Sequence, residues 1–143
     1  MKFFVVTGLL LAFFADASVF ANTGTNADRE RALHRDQIFD VSEYGAGWTL
    51  IDRNRDGTVD YAAMFDARNR KVIEAIDHNH DGFMDNFYFF EGGILVRQEI
   101  DTNNNGRVDL WVFLSDGIYI RKYERDTNHD GIPDVIRLYD AKE

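Results

Sequence analysis

The sequence predicts an all-β fold: a meander of short repeated β-hairpins, either open or curled and barrel-like, with polar loops gathered along one end. Three observations carry this expectation. The pattern D-x-N-x-[DN]-G-x-x-D occurs four times, beginning at Asp52, Asp77, Asp101 and Asp126. The copies start 25, 24 and 25 positions apart, which marks an internal repeat. Between them lie aromatic and β-branched runs split by glycine-containing turns, the signature of hairpins.

The chain opens on a stretch with the features of a secretory signal peptide, residues 1–21. Lys2 supplies the positive end, and Phe3 to Phe14 is apolar apart from Thr7 and Gly8. Val19, Phe20 and Ala21 offer a cleavage site, with Ala15 to Ala17 as a second candidate. The run is shorter than the ~20 residues a membrane span needs, and Asp16 ends it. This predicts export to the periplasm or beyond the cell, with no membrane span once the signal is removed. Residues 22–36 are polar and of mixed charge, and are read as a flexible lead. Residues 37–143 form the repeat domain.

Within that domain Ile38 to Val41 reads as extended, Gly45 to Gly47 as a turn, and Trp48 to Ile51 as a strand entering the first loop. Tyr61 to Ile76 has helical propensity residue by residue. Its repeat partners are β, so it is read as a hairpin turning at Ala67 to Arg70. Asn86 to Phe90 and Ile94 to Ile100 form the next hairpin, and Leu110 to Leu114 with Ile118 to Arg125 the third. Val135 to Tyr139 is a last strand. Alternation puts Ala62/Met64, Phe87/Phe89, Trp111/Phe113 and Ile136/Leu138 on one face, the expected core stripe. Tyr88, Phe90, Val112 and Leu114 make the other face apolar enough for partial cover, with 38–43 as a cap.

The loops have a chemical reading. Side chains at loop positions 1, 3 and 5 can converge on a point, and the glycine at 6 permits the sharp turn that a Cβ would obstruct. The carbonyl at 7 then points inward and the aspartate at 9 closes the shell. Every donor is a hard oxygen, which suits Ca²⁺ better than a transition metal. An EF-hand places a bidentate glutamate at position 12. Here that position holds Ala63, Tyr88, Val112 and Arg137, so helix–loop–helix sensors are excluded.

The loops resemble the calcium loops of FG-GAP repeats in integrin-α propellers, and more loosely those of thrombospondin type 3 and dockerin repeats. More broadly, residues 48–143 are similar to short β-hairpin repeats with EF-hand-like loops in secreted bacterial proteins. The resemblance implies ligands Asp52, Asn54, Asp56, the Thr58 carbonyl and Asp60 in the first site. It implies Asp77, Asn79, Asp81, the Phe83 carbonyl and Asp85 in the second. The third would use Asp101, Asn103, Asn105, the Arg107 carbonyl and Asp109. The fourth would use Asp126, Asn128, Asp130, the Ile132 carbonyl and Asp134. The third has one carboxylate fewer and is expected to bind most weakly. Affinities of about 10⁻⁴–10⁻³ M, those of extracellular modules, are expected.

Composition narrows the function. The formal net charge is −9, and eleven of the 25 acidic residues belong to the loops, three in each except two in the third. This acidity argues against nucleic acid as a partner. There is no cysteine, so metal rather than disulfide is the expected staple. His78, His80 and His129 sit at loop positions 2 and 4 and are expected to face solvent, with the 78/80 pair a secondary transition-metal candidate. No G-x-S-x-G, H-E-x-x-H or phosphate-binding glycine loop occurs. No catalytic residue is assigned, and a calcium-assisted hydrolase lacks any constellation to carry it. The expectation is a non-enzymatic calcium-binding repeat protein whose β scaffold meets a protein or glycan partner. A carbohydrate- or envelope-binding module, stacking sugar on Tyr61, Tyr88, Tyr119 and Tyr123, is the alternative.

Overall fold

A computed structural model of the chain describes residues 37–139. The signal-peptide and flexible-lead readings lie outside these residues. The strands are β1 (Trp48–Ile51), β2 (Tyr61–Phe65), β3 (Lys71–Ile76), β4 (Asn86–Glu91), β5 (Ile94–Ile100), β6 (Leu110–Ser115), β7 (Tyr119–Arg125) and β8 (Val135–Leu138). They form one sheet in chain order, each antiparallel to the next. β1 and β8 lie at opposite edges, so the meander is open and not closed into a barrel. The 61–76 segment is a hairpin, as its repeat position required; the β ladder overrides its local helical preference.

The far turns are built from left-handed residues. Gly92 and Gly93 both have positive φ, as do Asp116 and Gly117, which suits tight hairpins between right-twisted strands. Each hairpin also carries one extra residue at an equivalent place, namely Val72, Val96 and Arg121. Such bulges increase the local twist.

The register defines two rows across one face. One runs Leu50, Ala62, Ala75, Phe87, Glu99, Trp111, Glu124, Ile136. The other runs Trp48, Met64, Ile73, Phe89, Arg97, Phe113, Lys122, Leu138. Ala62, Ala75, Phe87, Trp111 and Phe113 are buried core. The cover is the segment before β1. Ile38, Phe39, Val41 and Tyr44 pack on this face, and Phe39 meets Phe87 edge-on at 5.1 Å. The segment is held by Met84 N–H donating to the Phe39 carbonyl at 2.7 Å and Val41 N–H to that of Gly82 at 3.2 Å.

Three expectations are corrected. The 38–41 stretch makes one β-bridge, Asp40 to Phe83, and then turns into a short 3-10 helix, Val41–Glu43, capped by the Asp40 carboxylate. The last strand ends at Leu138 rather than Tyr139. Ile136 and Leu138 are not core: they are 55% and 76% exposed, because the cover does not extend over the last strand. The core face also holds charges that alternation in β5 and β7 placed there unnoticed. Glu99 is fully buried and pairs with Arg97, while Gln37 donates to its other oxygen. The Arg97 guanidinium lies 4.0 Å over Phe89, and the Lys122 ammonium 4.1 Å over Phe113.

Candidate functional site: four stacked loops

The four loops share one backbone. Position 4 is left-handed in each, at Arg55, His80, Asn104 and His129, and so is the glycine at position 6. Two aspartates hold this shape from opposite ends. The position-1 carboxylate accepts the glycine N–H: Asp52 from Gly57 at 2.9 Å, Asp77 from Gly82 at 2.9 Å, Asp101 from Gly106 and Asp126 from Gly131 at 2.7 Å. The position-9 carboxylate accepts N–H groups from the entry. Asp60 takes those of Arg53 and Asn54, and Asp85 those of His78 and Asn79. Asp109 and Asp134 take both the amide and the hydroxyl of Thr102 and Thr127.

Positions 3 and 5 grip each other in three loops. The Asn54 side chain donates to Asp56 at 2.8 Å, Asn79 to Asp81 at 3.0 Å, and Asn128 to Asp130 at 3.0 Å. The aspartate at 5 then accepts the N–H of position 7, from Thr58, Phe83 and Ile132. The third loop departs. With Asn105 at position 5, the Arg107 N–H goes to Asp101 instead, and Asn103 turns to His129 at 2.8 Å.

The loops also stack. The N–H of each position-1 aspartate donates to the carbonyl of the preceding position-9 aspartate: Asp77 to Asp60, Asp101 to Asp85, Asp126 to Asp109. Position 4 reaches back across the same step. His80 Nδ1 lies 2.8 Å from Asp60, and His129 Nδ1 lies 3.6 Å from Asp109. All three histidines are exposed, as expected, and two of them also contact the loop before: His80 at Asp60 and His129 at Asp109. A single loop read in isolation carries no trace of this step. Cavities of about 270 and 200 Å³ lie between the first and second and between the second and third loops.

Stacking sets the electrostatics. Burial raises the affinity of Asp60 for its proton, but the bond to His80 and the Asn54 and Arg53 amides outweigh it and hold the carboxyl below its usual range. The Asp60 hydrogen bond raises His80. Asp85 has no such partner: burial pushes it up, and the charges of Asp77 and Asp81 add to this. The Thr127 hydroxyl lowers Asp134.

Among the described residues, no three His, Asp or Glu side chains are drawn close enough together to form a metal cluster. The carboxylates are turned onto loop amides. A carboxylate offers about four lone-pair sites, so these bonds leave acceptor capacity in each loop. The donor set is oxygen throughout and fits a hard cation. Position 8 is a further structural residue that the loop pattern left unassigned. Met84 and Val108 are buried there, and Val59 packs against the core. The apolar residue at position 8 of every copy, with Pro133 in the fourth, is the signal that marks it.

No family model matches the chain, and no curated protein matches it. Among solved structures, one titled as accessory secretory protein 1, 2 and 3 of Streptococcus pneumoniae is similar at 18% identity and a TM-score of 0.42. That match covers 62% of this chain and 17% of the other. TarM is similar at 12% identity and a TM-score of 0.41, covering 82% of this chain and 23% of the other. The chain thus spans less than a quarter of the length of either. Among the described residues no helix is long and apolar enough to cross a membrane.

Proposed function

We propose that this is a secreted or periplasmic, non-enzymatic protein whose four loops bind Ca²⁺, which stiffens a β scaffold used for interaction. The observation that carries the reading is the recurrence of one loop geometry in four copies. Each has left-handed residues at positions 4 and 6 and an aspartate clamp at 1 and 9. Turn formation alone requires the glycine and one capping side chain. It does not require an oxygen donor at 1, 3, 5 and 9 in every copy. The residues that would hold the ion are those named above for each loop. Bound Ca²⁺ would neutralise stacked carboxylates that otherwise repel one another, so binding and folding are coupled. Calorimetric titration of the protein with Ca²⁺ tests the reading. Saturable binding at or below millimolar concentration supports it, with the third loop weakest. Absence of heat at millimolar Ca²⁺ rejects it.

A glycan-binding role is the second reading. The uncovered face carries Tyr61, and a row across adjacent strands in which Tyr88, Gln98, Val112 and Tyr123 are register partners. Rings with an amide between them suit stacking and hydrogen bonding to sugar. A glycan array probed in Ca²⁺ tests this, and an array without hits removes it.

A further inference from the structure

The two edges of the sheet are complementary to each other. β8 leaves a loop and β1 enters one, so a β8 edge laid beside the β1 edge of another copy is antiparallel, as in every internal hairpin. The register is set by the repeat. Asn86, one residue past its loop, faces Ile100, one residue before the next, and Phe87 faces Glu99. The same rule sets Val135 against Ile51, Ile136 against Leu50, Arg137 against Thr49 and Leu138 against Trp48. Both strands are four residues long, so the register spans both, although the Trp48 N–H already donates to the Gly45 carbonyl. Leu50 and Ile51 are 39% and 44% exposed at one edge, and Ile136 and Leu138 are 55% and 76% exposed at the other. Pairing them covers apolar surface that the single chain leaves in water.

The loop stack points the same way. Asp77, Asp101 and Asp126 are buried by the loop before them, while Asp52, at the start of the stack, is only half-buried. Asp60, Asp85 and Asp109 are buried by the loop after them, while Asp134, at the end, is exposed. A second copy would let the Asp52 N–H donate to the Asp134 carbonyl, the bond already made at three internal steps. It would also bring Arg55, which occupies loop position 4, to Asp134. That is the step by which His80 reaches Asp60 and His129 reaches Asp109. A cation at position 4 therefore meets the one position-9 carboxylate that has no following loop.

We propose that copies of this chain associate head to tail, the β8 edge of one pairing with the β1 edge of the next to continue the sheet and the loop stack. The contact is heterologous, so it propagates beyond a dimer. It is a strand addition of four residues and is correspondingly weak. The inference rests on the register and not on calcium binding.

Sedimentation of the exported chain, residues 22–143, over rising concentration, up to about a millimolar, tests it with two variants at exposed positions. Leu138→Lys blocks the β8 edge and Leu50→Lys blocks the β1 edge, and unchanged circular dichroism establishes that both fold. The wild type is expected to form species larger than a dimer, and each variant alone to stay monomeric. An equimolar mixture is expected to form a dimer and stop there, since each variant supplies the edge the other lacks. A wild type that stays monomeric overturns the proposal. So does a Leu50→Lys variant that self-associates through β8 alone, or a mixture that stays monomeric.

Discussion

The sheet treats equivalent residues differently at its two flanks. Phe87 on β4 and Ile136 on β8 occupy the same place in the repeat, one turn of alternation past their loops. Phe87 is fully buried, under Phe39, whereas Ile136 is 55% exposed. The loops behind them are alike and do not explain the difference. Two things differ: β4 lies between two strands whereas β8 is an edge with one neighbour, and Ile38 to Tyr44 packs over the N-terminal flank, anchored at Gly82 and Met84. Burial in a repeat protein is thus decided by what docks on the repeat as well as by its pattern.

The largest effects should separate the flanks. Phe87→Ala leaves a cavity under the cover and should cost about 3–5 kcal/mol. Leu138→Ala removes an exposed side chain and should lie within about 0.5 kcal/mol of wild type. Urea denaturation of both measures this, and equal losses would remove the distinction. A similar contrast holds for charge. Arg97→Met removes the ion-pair partner of the buried Glu99 carboxylate and should cost about 3–5 kcal/mol. Arg70→Ala opens only the surface pair with Asp66, worth about 0–1 kcal/mol.

The smallest effect concerns Tyr44, whose hydroxyl donates to the Ile38 carbonyl at 2.6 Å and ties the cover to itself. Tyr44→Phe should cost about 0.5–1.5 kcal/mol. Burial, reinforced by Glu43, raises the ionisation of this phenol well above its usual value. The folded state therefore favours the neutral form. That stabilisation is full below the unfolded value of about 10 and is lost as pH rises towards the folded value. Alkaline titration of stability should fall more steeply in the wild type than in Tyr44→Phe, and coincident curves would contradict the assignment.

Much of this was legible in the sequence. The loops mark where every hairpin begins, so the 61–76 hairpin could be placed by register although its residues favour helix. The position of the cover was not legible, because a single docking segment leaves no period in the strands it covers. Hence Ile136 and Leu138 read as core. The buried Arg97–Glu99 pair was hidden for a related reason: charged residues on alternating positions of β5 look like a solvent face until the register sets Glu99 between Phe87 and Trp111. In the loops, positions 1 and 9 could be read from one copy, whereas the steps from His80 to Asp60 and His129 to Asp109 exist only between copies.

The most direct test of the central claim, that the stacked loops are calcium sites which staple the sheet, is the melting temperature of the protein in excess Ca²⁺ and in chelator. A β-type circular dichroism spectrum with a large upward shift in Ca²⁺ is the expected result. Identical melts in the two conditions would contradict it and leave the aspartate clamps as turn-forming structure alone.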